Sequence, residues 1–371
     1  MSTIARLPLS TPAPRRTRAI APRLALLGTG VVGSAFLARC ERLRREGVPV
    51  PAFVWLSNSR ALQSCADDPL AVLAEVRAAP PRGGAWAPWV EAEGLRTGDV
   101  VVDATASDSV AGWHSEWLAR GVHVVTANKL GNGGDLARAQ AIAEAGAVGS
   151  ACYGDAATVG AGLPVLRTIR QLVAGGDRIH AIEGVLSGSL AWLFGRYDDG
   201  RPFSDLVREA RALGFTEPDP RIDLSGDDVR RKLLILARAA GVALQPQQVR
   251  VESLLPPALA AVAPDAVDAA LGQIDAPMRE RFLQARRRGE ALRFVARLDT
   301  AAGAGEVGPC ALPASHPLCA GQGTDNRVAI HSSRYSERPL VIQGPGAGAE
   351  VTAAALLDDV LAIAQGASRR S

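Results

Sequence analysis

The chain has 371 residues, of which 47% are hydrophobic and 21% charged, and carries a formal net charge of +3. That length allows two or three domains with a substantial core. The small charge and the lack of basic stretches interleaved with aromatics argue against a nucleic-acid platform, and no run approaches the roughly 18 uncharged apolar residues of a membrane span.

Residues 1–22 hold Pro8, Pro12, Pro14 and several arginines but no acid, a composition that builds no core and predicts a disordered leader. An acid-poor start also resembles an organelle transit peptide; the Ala- and Arg-rich background of the whole chain is the preferred explanation. An apolar strand at Leu24–Leu27 then runs into a glycine turn and a helix ending near Arg45, followed by a second apolar run over 52–56. Alternation continues with a strand over 100–104, a helix over 110–120, a strand over 123–127 and a helix over 134–145, which predicts a parallel sheet of the Rossmann type over 23–150. The Pro- and Trp-containing stretch 69–98 reads as an irregular excursion.

After Gly149 the alternation stops. Helical patterns fill 162–241, with strand-like runs at 180–186, 292–298 and 328–331, so 151–339 reads as an α+β second domain. A strand over 340–343, a Gly-rich turn over 344–348 and a helix over 351–364 complete the chain. Residues 340–371 are expected to pack back on the nucleotide-binding domain.

Gly28-Thr29-Gly30-Val31-Val32-Gly33 fits GxGxxG between a strand and a helix. The first glycine allows the tight turn, the second the approach of a pyrophosphate to backbone N–H groups, and the third close helix packing. Where an enzyme using NAD usually places an acid on the ribose, the second strand ends in Ser57-Asn58-Ser59-Arg60. Arg60 could hold a 2′-phosphate, which favours NADP with NAD as the alternative; a solvated helix-start arginine is the plain reading.

All but two of the 41 basic side chains are arginine. The two lysines, Lys129 and Lys232, mark places where a guanidinium fails, because arginine does not release its proton and a desolvated lysine can; chance survival on the surface is the alternative. Lys129 ends a predicted parallel strand, where open α/β sheets place ligands. Lys232 falls four residues after Asp228, on the same helical face, within an acid-rich segment that includes Glu217 and Asp223. A surface ion pair would give the same spacing. Carboxylates beside one amine also suit an ammonium-bearing substrate whose carbonyl needs a proton donor. The small-residue turn 158–164 suits close approach of a ligand or ion, or is only a tight turn. Five cysteines without CxxC spacing and five scattered histidines argue against disulfides or a structural transition metal, and a reduced, cytoplasmic protein is expected.

From Leu24 onward the segments GTGVVGSAFL, VTANK, TVGAGLPV, GVLSGSLAWLFG, LGFTEPDPRIDLSGDDVRRKLLILAR and GPGAGAEVTAA resemble homoserine dehydrogenase, both the monofunctional enzyme and the C-terminal half of the aspartokinase fusion. The resemblance implies interconversion of L-aspartate 4-semialdehyde and L-homoserine in threonine, methionine and isoleucine biosynthesis, by a homodimer. It makes Lys232 the proton donor, with Lys129 assisting beside the nicotinamide. It assigns the substrate to Glu217, Asp228, Asp223, Gly188 and Ser189, and the coenzyme to the glycine turn with Arg60, Thr105, Lys129, Gly346 and Gly348. It further implies a sodium or potassium ion on backbone carbonyls of Val159, Ala161 and Leu163. The family's acid three positions before Val159 falls here on Ala156, with Asp155 beside it, and Ile222 replaces another frequent acid. Competing readings are a reductase of another amino-aldehyde and a non-catalytic NADP sensor. No strong built-in feedback by threonine is expected, because no aspartokinase domain precedes Leu24 and the helix ending near Ala364 leaves no room for an appended regulatory domain.

Overall fold

Strands β1 (Leu24–Leu27), β2 (Phe53–Ser57), β3 (Leu62–Ser64), β4 (Val100–Asp103), β5 (His123–Thr126) and β6 (Tyr153–Gly154) form one sheet in the order β3-β2-β1-β4-β5-β6. The computed structural model describes residues 22–65, 68–81, 94–149 and 151–366. The expected leader, apart from Pro22, therefore lies outside the described residues, as do Trp86 and Trp89. All pairings are parallel except β2 with β3. Every residue of β1 and β4 is buried, as strands covered by helices on both faces must be. Chain order reverses between β1 and β4, so the loops leaving these two strands frame the crevice where such sheets take ligands.

The expected irregular excursion contains a helix, Pro69–Ala78. Asp68 caps it, its carboxylate accepting from the N–H groups of Leu70 and Ala71 at 3.0 and 3.2 Å. Pro69 occupies the first helical position, where a missing N–H costs nothing. The helix predicted over 110–120 is two short ones, Asp108–Gly112 and His114–Ala119, joined at Trp113.

The second sheet is formed by β7 (Ile179–Val185), β8 (Val249–Val251), β9 (Glu290–Asp299), β10 (Ala304–Pro313), β11 (Asp325–Ser332) and β12 (Leu340–Pro345) in the order β12-β11-β7-β9-β10-β8. Only β8 with β10 is parallel. One face packs on the main core, including Leu190 and Leu193 from helix Gly188–Arg196 and Leu233 and Leu236 from helix Asp227–Ala239. The opposite face carries a smaller cluster around Val185, Val295, Leu312 and Ala329.

The C-terminal segment divides between the two units. Strand β12 pairs antiparallel with β11, from Ile330↔Leu340 to Asp325↔Pro345, so it belongs to the second sheet and does not return to the first. Its side chains never bury fully, as an edge strand allows. Helix Ala349–Ala364 alone packs back on the nucleotide unit, placing Leu356, Leu357 and Val360 in one cluster with Phe36 and Leu37 of helix Val31–Arg45.

Candidate active site

The glycine turn leaves β1 at the crevice. Gly28 has φ +94°, and a Cβ there would lie 2.7 Å from the Ala104 carbonyl oxygen; one on Gly33 would lie 1.8 Å from the Gly28 oxygen. Both positions therefore admit glycine alone. Gly30 faces open space, so a pyrophosphate can approach the backbone at the start of helix Val31–Arg45. Thr29 is buried and Val31 exposed. The residues present thus fit a dinucleotide. Asn58 ties the turn down, its Nδ2 donating to Thr29 Oγ1 at 2.9 Å and to the Val76 oxygen at 3.0 Å. Arg60 is exposed, its Nη1 reaching only the Arg77 oxygen at 3.4 Å.

Between β4 and β5 lies a buried polar network that the sequence reading missed. Asp103 Oδ2 meets His114 Nε2 and accepts from Asn128 Nδ2, each at 3.0 Å, and Asp103 Oδ1 accepts from the Thr105 N–H at 2.8 Å. His114 Nδ1 lies 3.1 Å from the Tyr153 hydroxyl. Asn128 Nδ2 also donates to the Ser107 oxygen at 2.8 Å. Asp103, His114 and Asn128 are buried, which is tolerated because their polar groups are mutually bonded. The network fixes Thr105 and the backbone that carries Lys129. An Asp closing the apolar run VVVD was its visible signal.

Gly226, at φ +80°, starts helix Asp227–Ala239, and Asp227 and Asp228 occupy its first turn, where the helix dipole favours acids. Lys232 Nζ lies 2.9 Å from Asp228 Oδ2 and donates to the Leu186 oxygen at 2.7 Å. From the other unit, Lys129 Nζ reaches Asp228 Oδ1 at 3.4 Å. Burial alone would raise the Asp228 carboxyl, but the two ammonium groups outweigh it and hold it well below the usual carboxylate range. Lys232 is 8% exposed, so it is no surface lysine.

Asp223 is placed differently. Its Oδ1 accepts from Ser189 Oγ at 2.7 Å and its Oδ2 from the Glu217 N–H at 2.9 Å. Burial raises its pKa, with the nearby Asp228 charge adding to this and the two hydrogen bonds opposing it. The Glu217 side chain is exposed and has no ion pair among the described residues. Gly188 opens the Gly188–Arg196 helix against Thr324, whose oxygen would stand 3.0 Å from a Cβ there. Gly346 packs on Asn326, 1.9 Å from where its Cβ would be, and Gly348 has φ +124° just before the C-terminal helix.

Ala156, Ala161 and Leu163 line a cavity of about 40 Å³, and Val159 is buried nearby. Ala161 takes φ +50°, an uncommon conformation for a residue with a side chain. The donors do not match an acid plus three carbonyls. Ala156 brings no carboxylate, and its N–H donates to Asp359 Oδ2 at 3.1 Å. Asp155 is held by Arg170 in a fork at 2.6 and 2.8 Å and by Asn132 at 2.9 Å. The Leu163 oxygen already accepts from the Val165 N–H at 2.8 Å, and Arg167 lines the same cavity. The acidic ligand of the implied cation is thus unmatched here, with Ala156 at its position and Asp155 held by Arg170 and Asn132.

Residues 28–151 match the family model of the homoserine dehydrogenase NAD-binding domain, and residues 164–361 match the homoserine dehydrogenase model. Over 263 residues the chain is 43% identical to the chloroplastic bifunctional aspartokinase/homoserine dehydrogenase 1 of Zea mays, a match covering 71% of this chain and 29% of that protein. The chain spans about a third or less of the length of such bifunctional relatives. It is 35% identical over 353 residues to the homoserine dehydrogenase of Saccharomyces cerevisiae, covering 92% of this chain and 98% of that one. A crystal structure of a Candida auris protein of unknown function superposes with a TM-score of 0.82 at 35% identity, covering 93% of this chain and 98% of that one.

Proposed function

Because the chain belongs to the homoserine dehydrogenase family, we propose that it interconverts L-aspartate 4-semialdehyde and L-homoserine with a nicotinamide nucleotide. The observation that carries the reading is the Lys129–Asp228–Lys232 cluster, which joins the end of the parallel sheet to the acidic helix of the second unit. A sensor needs no such cluster of amines around one carboxylate.

The coenzyme would lie on the glycine turn and Thr105, with NADP favoured over NAD because Ser57 to Arg60 offers a cation and no acid. When bound, its reduced form supplies the hydride for the aldehyde carbon. An ammonium has three donors. Lys232 spends one on Leu186 and one on Asp228, which leaves the third to protonate the forming alkoxide. Lys129 adds positive charge beside that oxygen and strengthens the effect where water is excluded.

Asp228, expected to hold the substrate ammonium, is engaged by both lysines and is better described as the group that positions them. Glu217, whose carboxylate has no ion pair among the described residues, is then the acid for the substrate amine. Asp223 acts through Ser189 and the Glu217 backbone. No step is assigned to a monovalent cation. The resemblance implies a homodimer, and the cysteine usage of the sequence points to the cytoplasm. Among the described residues, no helix is long and apolar enough to cross a membrane.

The test is a turnover assay. Purified protein with aspartate semialdehyde and NADPH should consume the reduced nucleotide, and homoserine with NADP should regenerate it. NADPH binding without turnover in either direction would support the sensor instead, and a markedly higher kcat/KM for another amino-aldehyde would support the other reductase.

A further inference from the structure

Strand β11 sends successive side chains to opposite faces. Asn326 faces the catalytic side, its Nδ2 donating at 3.2 Å to the Leu186 oxygen that also accepts from Lys232. The next residue, Arg327, lines a separate cavity of about 220 Å³ on the other face. That is room for several waters, each taking about 30 Å³ in the liquid.

Arg327 is 2% exposed. Its Nε donates to Gln343 Oε1 at 3.2 Å, but Nη1 and Nη2 are buried and meet no acceptor. Asp325 lines the same cavity without pairing with Arg327; its Oδ2 accepts from Gln343 Nε2 at 3.2 Å. Two more arginines stand around the space. Arg293 spends its Nη1 on the Leu292 and Phe194 oxygens at 2.8 and 3.3 Å, and Arg196 stacks over Trp192 with its guanidinium carbon 5.1 Å from the ring centre. The loop backbone lies close on the Arg327 guanidinium, since a Cβ on Gly321 would stand 2.8 Å from Nη2. Burial pushes the Arg327 pKa down and the Arg293 charge adds to this, with the Asp325 charge opposing it only in part.

A guanidinium keeps its proton, and leaving one buried with two idle donor nitrogens is strongly unfavourable. Both idle nitrogens belong to the planar fork that suits a bidentate oxyanion. We propose that this cavity binds a small oxyanion, a carboxylate or phosphate group, on the Nη atoms of Arg327, with the Arg293 and Arg196 guanidinium groups, the latter 3.9 Å from Glu209, facing the one Asp325 carboxylate of the lining. The site is distinct from the catalytic cleft, yet one backbone step, from Arg327 to Asn326, separates it from the carbonyl that anchors Lys232.

The full-length protein, saturated with NADPH to cover the coenzyme's own phosphate site, is titrated with inorganic phosphate and separately with succinate, by calorimetry and thermal unfolding. At least one anion should bind saturably and raise the Tm, and the tighter of the two identifies the source chemistry. Arg327→Met should lose roughly tenfold or more in affinity, as expected for a lost charge-assisted pair. Arg327→Lys should bind with intermediate affinity, and it decides the matter if the Met variant does not fold. Absence of saturable binding to the unmodified protein, or equal binding to the variants, would overturn the proposal. So would dissociation of an oligomer by Arg327→Met with no anion bound by the parent, because the guanidinium would then serve a carboxylate of a second copy.

Discussion

Lys129 Nζ and Asp228 Oδ1 meet at 3.4 Å across the cleft between the parallel sheet and the second unit. Their side chains are 32% and 38% exposed, so the pair contributes only about 0–1 kcal/mol to stability. Its consequence is positional. Asp228 also holds Lys232, so one carboxylate sets the separation of two amines that would otherwise repel each other.

Lys232→Arg keeps the charge but removes the transferable proton, and the larger guanidinium must displace the contact to Leu186. Steady-state kinetics should show kcat lowered by about 10²- to 10⁴-fold, the range of general acid catalysis, with NADPH binding retained. Lys129→Arg should also slow turnover and weaken coenzyme binding. Near-normal kcat in the Lys232 variant would make this lysine a charge-holder and remove its proposed proton transfer.

Asp228→Asn and Glu217→Gln separate positioning from substrate binding. Loss of the Asp228 charge should fall mainly on kcat, and loss of the Glu217 charge mainly on KM for the amino-aldehyde. The reverse split would return the substrate ammonium to Asp228. Because the folded-state pKa of Asp228 is depressed, its ion pairs should persist above the ordinary carboxylate value of 3.8 and open only as pH falls below it. Loss of activity between neutrality and pH 5 in the unmodified protein should therefore be insensitive to this residue.

What the sequence made legible was local. The glycine turn is dictated by backbone space at Gly28 and Gly33, and the Asp228–Lys232 spacing is a property of one helix. The approach of Lys129 to Asp228 is long-range, and only the resemblance brought those segments together. Helix Pro69–Ala78 was hidden because proline reads as a breaker, although it is well placed at a helix start after Asp68. Strand β10 was hidden because AGEVGPCALP lacks a run of β-branched residues. Arg327 was invisible because composition does not reveal which of so many arginines is buried.

NADPH should give a higher kcat/KM than NADH. The end of β2 carries no acid to repel a 2′-phosphate, and Arg60 is exposed with only a long 3.4 Å bond to the Arg77 oxygen, so its guanidinium is free to turn. Arg60→Ala should erode the preference by raising KM for NADPH while leaving NADH unaffected. A preference for NADH in the unmodified protein would refute the assignment.

Asp359 on the C-terminal helix offers a test of stability in place of turnover. Burial pushes its carboxyl up to about 6, and the neighbouring Asp155 charge adds to this; the Ala156 N–H, Arg167 and Arg170 only partly compensate. The folded-state pKa thus exceeds the ordinary 3.8, so the folded protein holds this proton more tightly than the unfolded chain does. The resulting stabilisation is fully present below pH 3.8 and is lost as pH rises through about 6. A shift of about two pKa units corresponds to at most about 3 kcal/mol. Asp359→Asn keeps an acceptor for the Ala156 N–H without the buried charge, so it should raise the Tm at pH 8, with the advantage shrinking as pH falls below about 6 and vanishing only near pH 3.8. A Tm lowered at pH 8 would show that the ionised carboxylate is needed there, held by Arg167 and Arg170 more firmly than their placement implies.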